Sequence, residues 1–360
     1  MRAISAVDSV SLAIQRTRDF LFRPFTWGTY LKLGLVAIVT EGLGSNFRSS
    51  SSHTVTTDEH RSMVNSPFNF SPGWTHPAWL TPGVIATIVF ALVGAILLSL
   101  WIFYLVTRLR FAYFHCLTTN TRLIRTGWGI YGSQALRFFG LNLAVGLCFL
   151  VVMGLIAIPF AGGFLKLFEV ITQGGKPDIG SILLLVLPLI PIIVLLALAA
   201  GAAEIILRDW MLPHIALEDA TAGEAWESVW ARIRAEKKEF FVYVLLRVAL
   251  PILGAVCVLM VLIIPGLALA GSLAAVELGL HSYFADTTGS PALVGILLEA
   301  FFGVLAFGFS LLAGICLGGP LSTGIREYAL IFYGGRYSVL GKMLYPAAPP
   351  ALAGGPAGLA

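Results

Sequence analysis

Five uninterrupted apolar stretches of the chain are each longer than the roughly 20 residues that a helix needs to cross a bilayer. They are residues 82–107, 138–160, 181–206, 240–266 and 292–319. None shows the alternation of polar and apolar residues that marks a barrel strand. A bilayer accepts only helices and closed barrels, because both satisfy their own backbone hydrogen bonds. The chain is therefore predicted to be an all-α integral membrane protein.

A sixth, shorter stretch at residues 28–44 needs a separate argument, because it carries Lys32 and Glu41. The two charges lie near opposite ends of the stretch and are expected to extend toward opposite membrane surfaces. The composition agrees with a bilayer environment. The chain is 58% hydrophobic and 12% charged, whereas soluble domains carry about 25% charged residues.

The placement of positive charge supports six crossings. If all six stretches cross, one side of the membrane receives the N-terminal arm, residues 108–137, residues 207–239 and the C-terminal tail, which together hold 17 of the 23 Lys and Arg residues. Cytoplasmic flanks of spans are enriched in these residues. We therefore predict a polytopic domain over residues 1–343 with both termini in the cytoplasm. Residues 45–81 form an extracytoplasmic loop, and the Pro-, Ala- and Gly-rich residues 344–360 form a disordered tail.

An amphipathic helix is predicted on the cytoplasmic side, before the fifth span. Trp226, Val229, Trp230 and Ile233 recur at helical spacing and share one face. This face can rest on the lipid headgroups, since tryptophan prefers that depth, or it can pack on other cytoplasmic helices. The predicted headgroup contacts are Trp226, Trp230, Arg232, Arg234, Lys237 and Lys238.

The loops on this side suggest an internal repeat with a spacing of 99 residues. Aromatic and histidine positions recur at that spacing: Phe111, His115 and Tyr131 match Trp210, His214 and Trp230. Pro159 and Pro265 are expected to close the matching spans. Each repeat then consists of a span, a basic loop with an amphipathic helix, and a second span.

The same segments carry a family resemblance. The order of "AVDSVSLAIQRTRDFLFRPFTWGTYLKLGLVA", "RLRFAYFHCLTTNTRLIRTGWGIYGSQALRFF" and "LRDWMLPHIALEDATAGEAWESVWARIRAEKKEFFVYVLL" resembles a poorly characterised family of bacterial multi-pass membrane proteins. That family is similar to the membrane domain fused to some glycerophosphoryl diester phosphodiesterases. The resemblance covers roughly residues 3–340. It implies a helical fold in the bacterial cytoplasmic membrane. It implies no reaction, because the soluble phosphodiesterase domain is missing from this sequence.

Three ionisable residues inside predicted spans are candidates for an intramembrane polar site. Arg247 lies about seven residues inside the fifth span and needs a partner, for which Glu204 is one choice; Glu204 can instead pair with Arg208, four residues along. Glu299 has no cation nearby in sequence. These residues either stabilise the helix bundle or line a path for a small or lipidic substrate.

No convincing catalytic motif is present, and a non-enzymatic membrane-organising or lipid-associated scaffold is the predicted function. A transporter using Glu204, Arg247 and Glu299 is the alternative. A weaker one is a lipid-modifying acyltransferase, in which His214 would act with Asp219. We expect no cofactor, metal site or nucleic-acid partner. Membrane lipids are the expected partners. Other membrane proteins or a second copy of the chain are alternative partners.

Overall fold

The computed structural model describes residues 4–46, 82–172, 178–284 and 290–345. All of the regular structure in these residues is helical. The helices are α1 (Asp8–Phe22), α2 (Trp27–Asn46), α3 (Pro82–Thr119), α4 (Ile124–Ile130), α5 (Gly132–Thr172), α6 (Ile179–Val186), α7 (Leu189–Ile205), α8 (Leu212–Leu217), α9 (Ala222–Ala235), α10 (Lys237–Phe284), α11 (Ser290–Gly334) and α12 (Ser338–Leu344). A π-helical turn, Ile206–Met211, joins α7 to α8. The predicted loop 45–81 and tail 344–360 lie almost entirely outside the described residues.

Five helical segments among the described residues are long and apolar enough to cross a membrane. They are Ala86–Thr119, Gly132–Thr172, Ile182–Leu217, Lys237–Val276 and Ala300–Gly334. The all-helical class is thus confirmed for the described residues, and the five candidate spans indicate a membrane protein. The short first stretch does form a helix, α2, but it is not among the five, so six crossings stay a prediction.

The helical segments extend beyond the predicted spans. Three spans were predicted to end at residues 107, 206 and 319, and the helical runs that contain them continue to Thr119, Leu217 and Gly334. The extensions are rich in arginine and aromatic residues, which lowers their hydropathy without ending the helix. Pro159 and Pro265, which were expected to close the matching spans, lie inside α5 and α10, and both helices continue beyond them. Membrane helices tolerate proline, because neighbouring groups and small local changes of the helix satisfy the backbone groups that proline leaves unbonded.

The described chain divides into two compact units. The first contains residues 1–46, 109–131 and 209–360. Its central element is α11, against which α1, α2, α10 and α12 pack. The contact between α11 and α2 is close, because the Cα atom of Gly34 lies 2.7 Å from the position that a Cβ atom on Gly319 would occupy. Glycine at both positions lets the two backbones approach.

Aromatic side chains fill the core of this first unit. Tyr243 of α10 stacks on Tyr328 and Phe332 of α11, with ring centroids 5.1 and 4.4 Å apart. Trp210 meets Phe240 edge to face at 4.9 Å. All five side chains are buried. Large buried rings contribute strongly to packing, and here they hold the arginine-rich ends of the long helices together.

The second unit contains residues 47–108 and 132–208. Within this unit, α5 packs against α6. Leu185 lies so close to Gly163 that a Cβ atom on residue 163 would force the Leu185 side chain to move. The helical run breaks between Val186 and Leu189, at Pro188. Proline favours such a break because it has no backbone N–H to donate. Most apolar side chains of this unit are exposed, as expected where lipid is the solvent.

Local signals fix the corners between helices. Thr221 accepts a hydrogen bond from the backbone N–H of Glu224, and the Glu224 carboxylate accepts one from the N–H of Thr221, so a capping box starts α9. Asn120 and Asp219 follow α3 and α8 with φ angles of 54° and 52°. Among residues with a Cβ atom, Asn and Asp tolerate this left-handed conformation best. These two residues are 99 positions apart.

Candidate functional site

Arg247 of α10 lies in the interior of the first unit between two carboxylates. Its Nε atom is 2.8 Å from Oδ2 of Asp209, and its Nη2 atom is 3.2 Å from Oε2 of Glu41 on α2. Its side chain is 11% exposed. A guanidinium removed from water needs such charged acceptors. Arg247 therefore joins α2, α10 and the π-helical turn.

Asp209 is the centre of this ion-pair cluster, which we define as Glu41, Asp209, Tyr243, Arg247 and Arg326. Arg326 of α11 donates to Oδ1 of Asp209 at 3.0 Å, and the Tyr243 hydroxyl donates to Oδ2 at 2.8 Å. The Asp209 side chain is fully buried. A carboxylate with two guanidinium partners and a hydroxyl is well compensated for the loss of water, and its charge-assisted hydrogen bonds are the strong kind.

Two further polar contacts lie on α3 in the same unit. The Nε atom of Arg110 donates to the backbone carbonyl of Thr40 at 3.1 Å, and the hydroxyl of Tyr113 donates to Oγ1 of Thr323 at 2.8 Å. All four residues are buried. Polar contacts therefore link α2, α3, α10 and α11 inside this unit.

Of the two partners that the sequence offered for Glu204, the structure shows Arg208. Oε1 of Glu204 lies 3.4 Å from Nη1 of Arg208, four residues along the helix. Asp209 was not predicted as a partner of Arg247 because it was assigned to a loop after residue 206, whereas the π-helical turn carries it inside the helical run. Glu41 was expected to extend to the outer surface but is buried beside Arg247. Glu299 lies in α11, and its side chain lies outside the described part of the chain.

His214 has a different carboxylate partner from the predicted one. Its Nδ1 atom is 3.0 Å from Oε2 of Glu218, and its Nε2 atom is 2.7 Å from the hydroxyl of Tyr333. Asp219, the partner in the acyltransferase hypothesis, instead occupies the left-handed position that ends α8. His214 is 1% exposed, and both ring nitrogens have partners. A neutral imidazole that donates from Nδ1 and accepts at Nε2 fits both contacts.

Arg232 and Tyr337 complete the surroundings of this histidine. Tyr337 places its ring centroid 4.2 Å from that of His214, and Nη1 of Arg232 is 3.4 Å from Nε2. The hydrogen bond from His214 holds the pKa of Glu218 below its ordinary value. Burial raises the pKa of Tyr337. The Glu218 carboxylate is therefore charged and the Tyr337 phenol neutral near pH 7.

Helix α9 has one face inside the protein and one outside. Ala225 and Val229 are fully buried, whereas Trp226 and Trp230 are 44% and 39% exposed. The two indoles stack with centroids 5.7 Å apart, and the guanidinium of Arg234 lies 5.2 Å from the Trp230 ring. The helix thus packs inward through its aliphatic residues, while its two tryptophans are exposed.

Among the predicted headgroup contacts, Arg232 differs from the rest. Its Nη1 atom donates to the carbonyl of Ser228 at 2.7 Å, and its Nε atom donates to the carbonyl of Arg336 at 3.3 Å. Lys237 and Lys238, in contrast, are exposed at the start of α10. Arg232 thus serves packing, while the exposed residues leave an aromatic and basic outer face.

A comparison with protein families matches residues 4–343 to a family of unknown function, DUF7544. The chain belongs to this family. The match extends over both units and all of the helices except the last residue of α12. It gives no link to the membrane domain of glycerophosphoryl diester phosphodiesterases, so only the coarser resemblance, to an uncharacterised family, is supported. No curated protein and no solved structure matches this DUF7544 chain.

Sequence analysis missed three members of the ion-pair cluster: Asp209, Tyr243 and Arg326. A signal for two of them is present. Arg208, Asp209 and Trp210 form a triplet of basic, acidic and aromatic residues, and "REY" at residues 326–328 repeats it near the end of α11. Charged residues that directly extend an apolar run are costly unless they are paired inside the protein. Tyr243 had no comparable signal.

Proposed function

We propose that this DUF7544 protein is a non-enzymatic membrane protein whose cytoplasmic helices bind phospholipid headgroups and organise the surrounding bilayer. The observation that carries this proposal is the two-sided character of α9. Its inner face is fixed by Ala225 and Val229, while its outer face presents Trp226 and Trp230. Indole rings prefer the headgroup region, and nearby Arg and Lys residues suit an anionic cytoplasmic leaflet.

The proposed topology has six crossings with both termini in the cytoplasm of a bacterium. In this topology α2 crosses as the first span, and the cation-rich corners all lie on one side. A direct repeat is part of the proposal: Asn120 and Asp219 share a left-handed conformation at the same spacing as His115 and His214. The relation to phosphodiesterase membrane domains is retained only as a proposal about the fold.

The pairing of the buried charges supports a structural role for them. Arg247 already has two carboxylate partners, and Glu204 has Arg208. A buried arginine with two such partners gains little from releasing them for a passing substrate. His214 is buried with both nitrogens bonded, which argues against a role as a catalytic base for an external hydroxyl.

A transporter is the second candidate, and one observation favours it. Asp209 lies in a π-helical turn within a helix long enough to span the membrane, and such turns are frequent at functional sites. In this case Asp209 would release Arg247 or Arg326 during a transport cycle. If the protein is a transporter, an engineered disulfide that locks α10 to the π-helical turn is expected to abolish transport. A scaffold would tolerate this disulfide.

The lipid proposal can be tested by fluorescence quenching in nanodiscs. Brominated phospholipids quench nearby indoles, and the signal of the α9 tryptophans is the difference between the parent and a Trp226→Phe/Trp230→Phe variant. We expect strong quenching of this difference signal by bromine near the headgroup and weaker quenching by bromine at the chain ends. Equal accessibility to an aqueous quencher with and without lipid would contradict headgroup contact.

Orientation is tested separately by labelling. A cysteine replacing the exposed Ala231, in a chain without its four native cysteines, is expected to react with an impermeant maleimide only after the cells are opened. Reaction in intact cells would overturn the topology. Because this result does not depend on lipid quenching, the two parts of the proposal can fail independently.

A further inference from the structure

A second exposed aromatic cluster lies at the corner between α1 and α2, far along the sequence from α9. Phe22, Phe25 and Trp27 are all exposed. Their rings nevertheless pack on one another, with centroids of Phe22 and Phe25 at 6.1 Å and those of Phe25 and Trp27 at 5.1 Å. Exposed rings at the start of a helix that is proposed to enter the membrane are typical of an interfacial anchor.

The corner has a fixed shape. Arg122, which follows α3, donates to the backbone carbonyls of Phe20 and Arg23. From the other side, the hydroxyl of Tyr30 donates to the carbonyl of Cys316 at 2.6 Å, and its ring packs on that of Phe25 at 5.6 Å. A preorganised surface binds a ligand with less loss of conformational entropy.

The charge of the corner is positive. Arg18, Arg23 and Lys32 are exposed, and one exposed carboxylate, that of Asp19, lies 3.8 and 3.5 Å from the two arginines. These three exposed cations against one anion leave an excess of two positive charges, and the partly buried Arg122 adds a third. Lys32 is five residues beyond Trp27, about 7.5 Å along a helix axis. Its amine therefore has to extend back toward Trp27 to leave the hydrocarbon.

We propose that this corner binds the phosphate of an anionic phospholipid, with Lys32 reaching it from the hydrocarbon side and Arg23 from the aqueous side. Trp27 and Phe25 then pack on the glycerol and the first carbons of the acyl chains. Gly28 adds no side chain next to Trp27, and no atom of the described chain outside its neighbouring residues and the backbone of its own helix lies within 4 Å of a Cβ atom placed there. The inference rests on the proposed membrane entry of α2, and it names the lipid class that the protein selects.

The test is native mass spectrometry of the detergent-purified full chain with added phosphatidylglycerol or phosphatidylcholine of identical acyl chains. We expect the parent to retain phosphatidylglycerol preferentially. A basic residue close to an anionic surface is worth about a fivefold change in binding, so the Lys32→Met/Arg23→Gln variant is expected to lose roughly tenfold or more of this preference. Lys342→Met, which removes an exposed cation from α12, serves as the matched control and is expected to keep the preference.

Three results would overturn the inference: equal retention of the two lipids by the parent, an unchanged preference in the double variant, or displacement of the lipid by millimolar inorganic phosphate. The last would assign the site to a free anion. The α9 quenching experiment can fail while the corner between α1 and α2 keeps its lipid preference. That outcome would overturn only the proposed contact of α9 with the headgroups. A Trp27→Leu variant, in which both cations remain, separates the aromatic contribution from the charge.

Discussion

Two corners of the first unit each contain a left-handed residue but have different surroundings. The first corner, residues 109–131, contains His115, and the second corner, residues 209–235, contains His214. Each passes from a long helix through a left-handed residue into a short helix. His115 has a contact of 3.5 Å to the hydroxyl of Tyr131, whereas His214 is held by Glu218 and Tyr333. A shared local backbone therefore does not produce a shared side-chain network.

The largest difference between the corners is one of charge. Arg110 and Asp209 occupy positions 99 residues apart, and both are buried. Arg110 donates to the backbone carbonyl of Thr40, while Asp209 accepts from Arg247, Arg326 and Tyr243. Each corner thus contains a buried charge, and the neighbouring helices supply the partners that match its sign.

The strongest way to break the second corner is to remove its central acceptor. Asp209→Ala leaves two buried guanidinium groups without their shared carboxylate, and we expect a loss of about 3–5 kcal/mol in the free energy of unfolding. The measurement is an unfolding titration of the full chain in mixed micelles. Asp19→Asn, at the exposed pair with Arg23, is the control and should cost less than about 1 kcal/mol. Equal effects of the two changes would refute the central role of Asp209.

The first corner depends on close backbone packing instead. A Cβ atom on Gly127 of α4 would lie 2.8 Å from the Cα atom of Ala112 on α3. Gly127→Ala therefore forces the helices apart, and we expect it to destabilise the protein by about 1–3 kcal/mol. Gly129→Ala lies on the same short helix, where a Cβ atom would meet no described atom within 4 Å apart from its chain neighbours and its own helix backbone, and it should be neutral or slightly stabilising. A neutral Gly127→Ala would show that α4 does not pack on α3 as described.

The two histidines provide a direct comparison of hydrogen bonding. His214→Leu leaves Glu218 and the hydroxyl of Tyr333 without their imidazole, and we expect a cost of about 1–3 kcal/mol. His115→Leu should cost less than half as much, because its contact with Tyr131 is long. A double-mutant cycle between His214→Leu and Tyr333→Phe should show coupling, whereas additive effects would mean that the 2.7 Å contact contributes nothing.

The smallest effects on stability are expected at the left-handed residue that both corners share. Asn120→Ala and Asp219→Ala place a poorly suited residue in the left-handed conformation, and each should cost about 1 kcal/mol. Glycine at either position should restore stability or raise it slightly, because it adopts this conformation without strain. Thermal unfolding of the four variants is the measurement. A glycine variant as unstable as its alanine counterpart would indicate that the residue acts through its side chain.

The helical class, the local pair of Glu204 with Arg208 and the buried position of Arg247 could be predicted from the sequence, but the distant partners of Arg247 could not. The apolar runs established the helices, and the position of Arg247 inside one of them marked it as a residue that must be paired. Its partners, Glu41 and Asp209, are 206 and 38 residues away. Such distances cannot be bridged by helical periodicity, which relates only residues three or four positions apart.

The amphipathic helix illustrates the same limit on a smaller scale. The spacing of Trp226, Val229 and Trp230 placed them on one face, and the structure divides that face between the core and the exterior. Periodicity gives the direction of a side chain around its own helix. It does not give the position of the neighbouring helix that determines how wide the buried stripe is.

The sequence by itself determined that this chain is helical and that its long helices suit a bilayer. These properties depend on local hydrophobicity and on residues that are near one another in the chain. Tertiary structure alone decided that Asp209 gathers Arg247, Arg326 and Tyr243, and that His214 bonds to Tyr333. The reason is physical: a buried charge is stabilised by whichever opposite charge the fold brings within about 3 Å, and only the packing of distant helices brings it there.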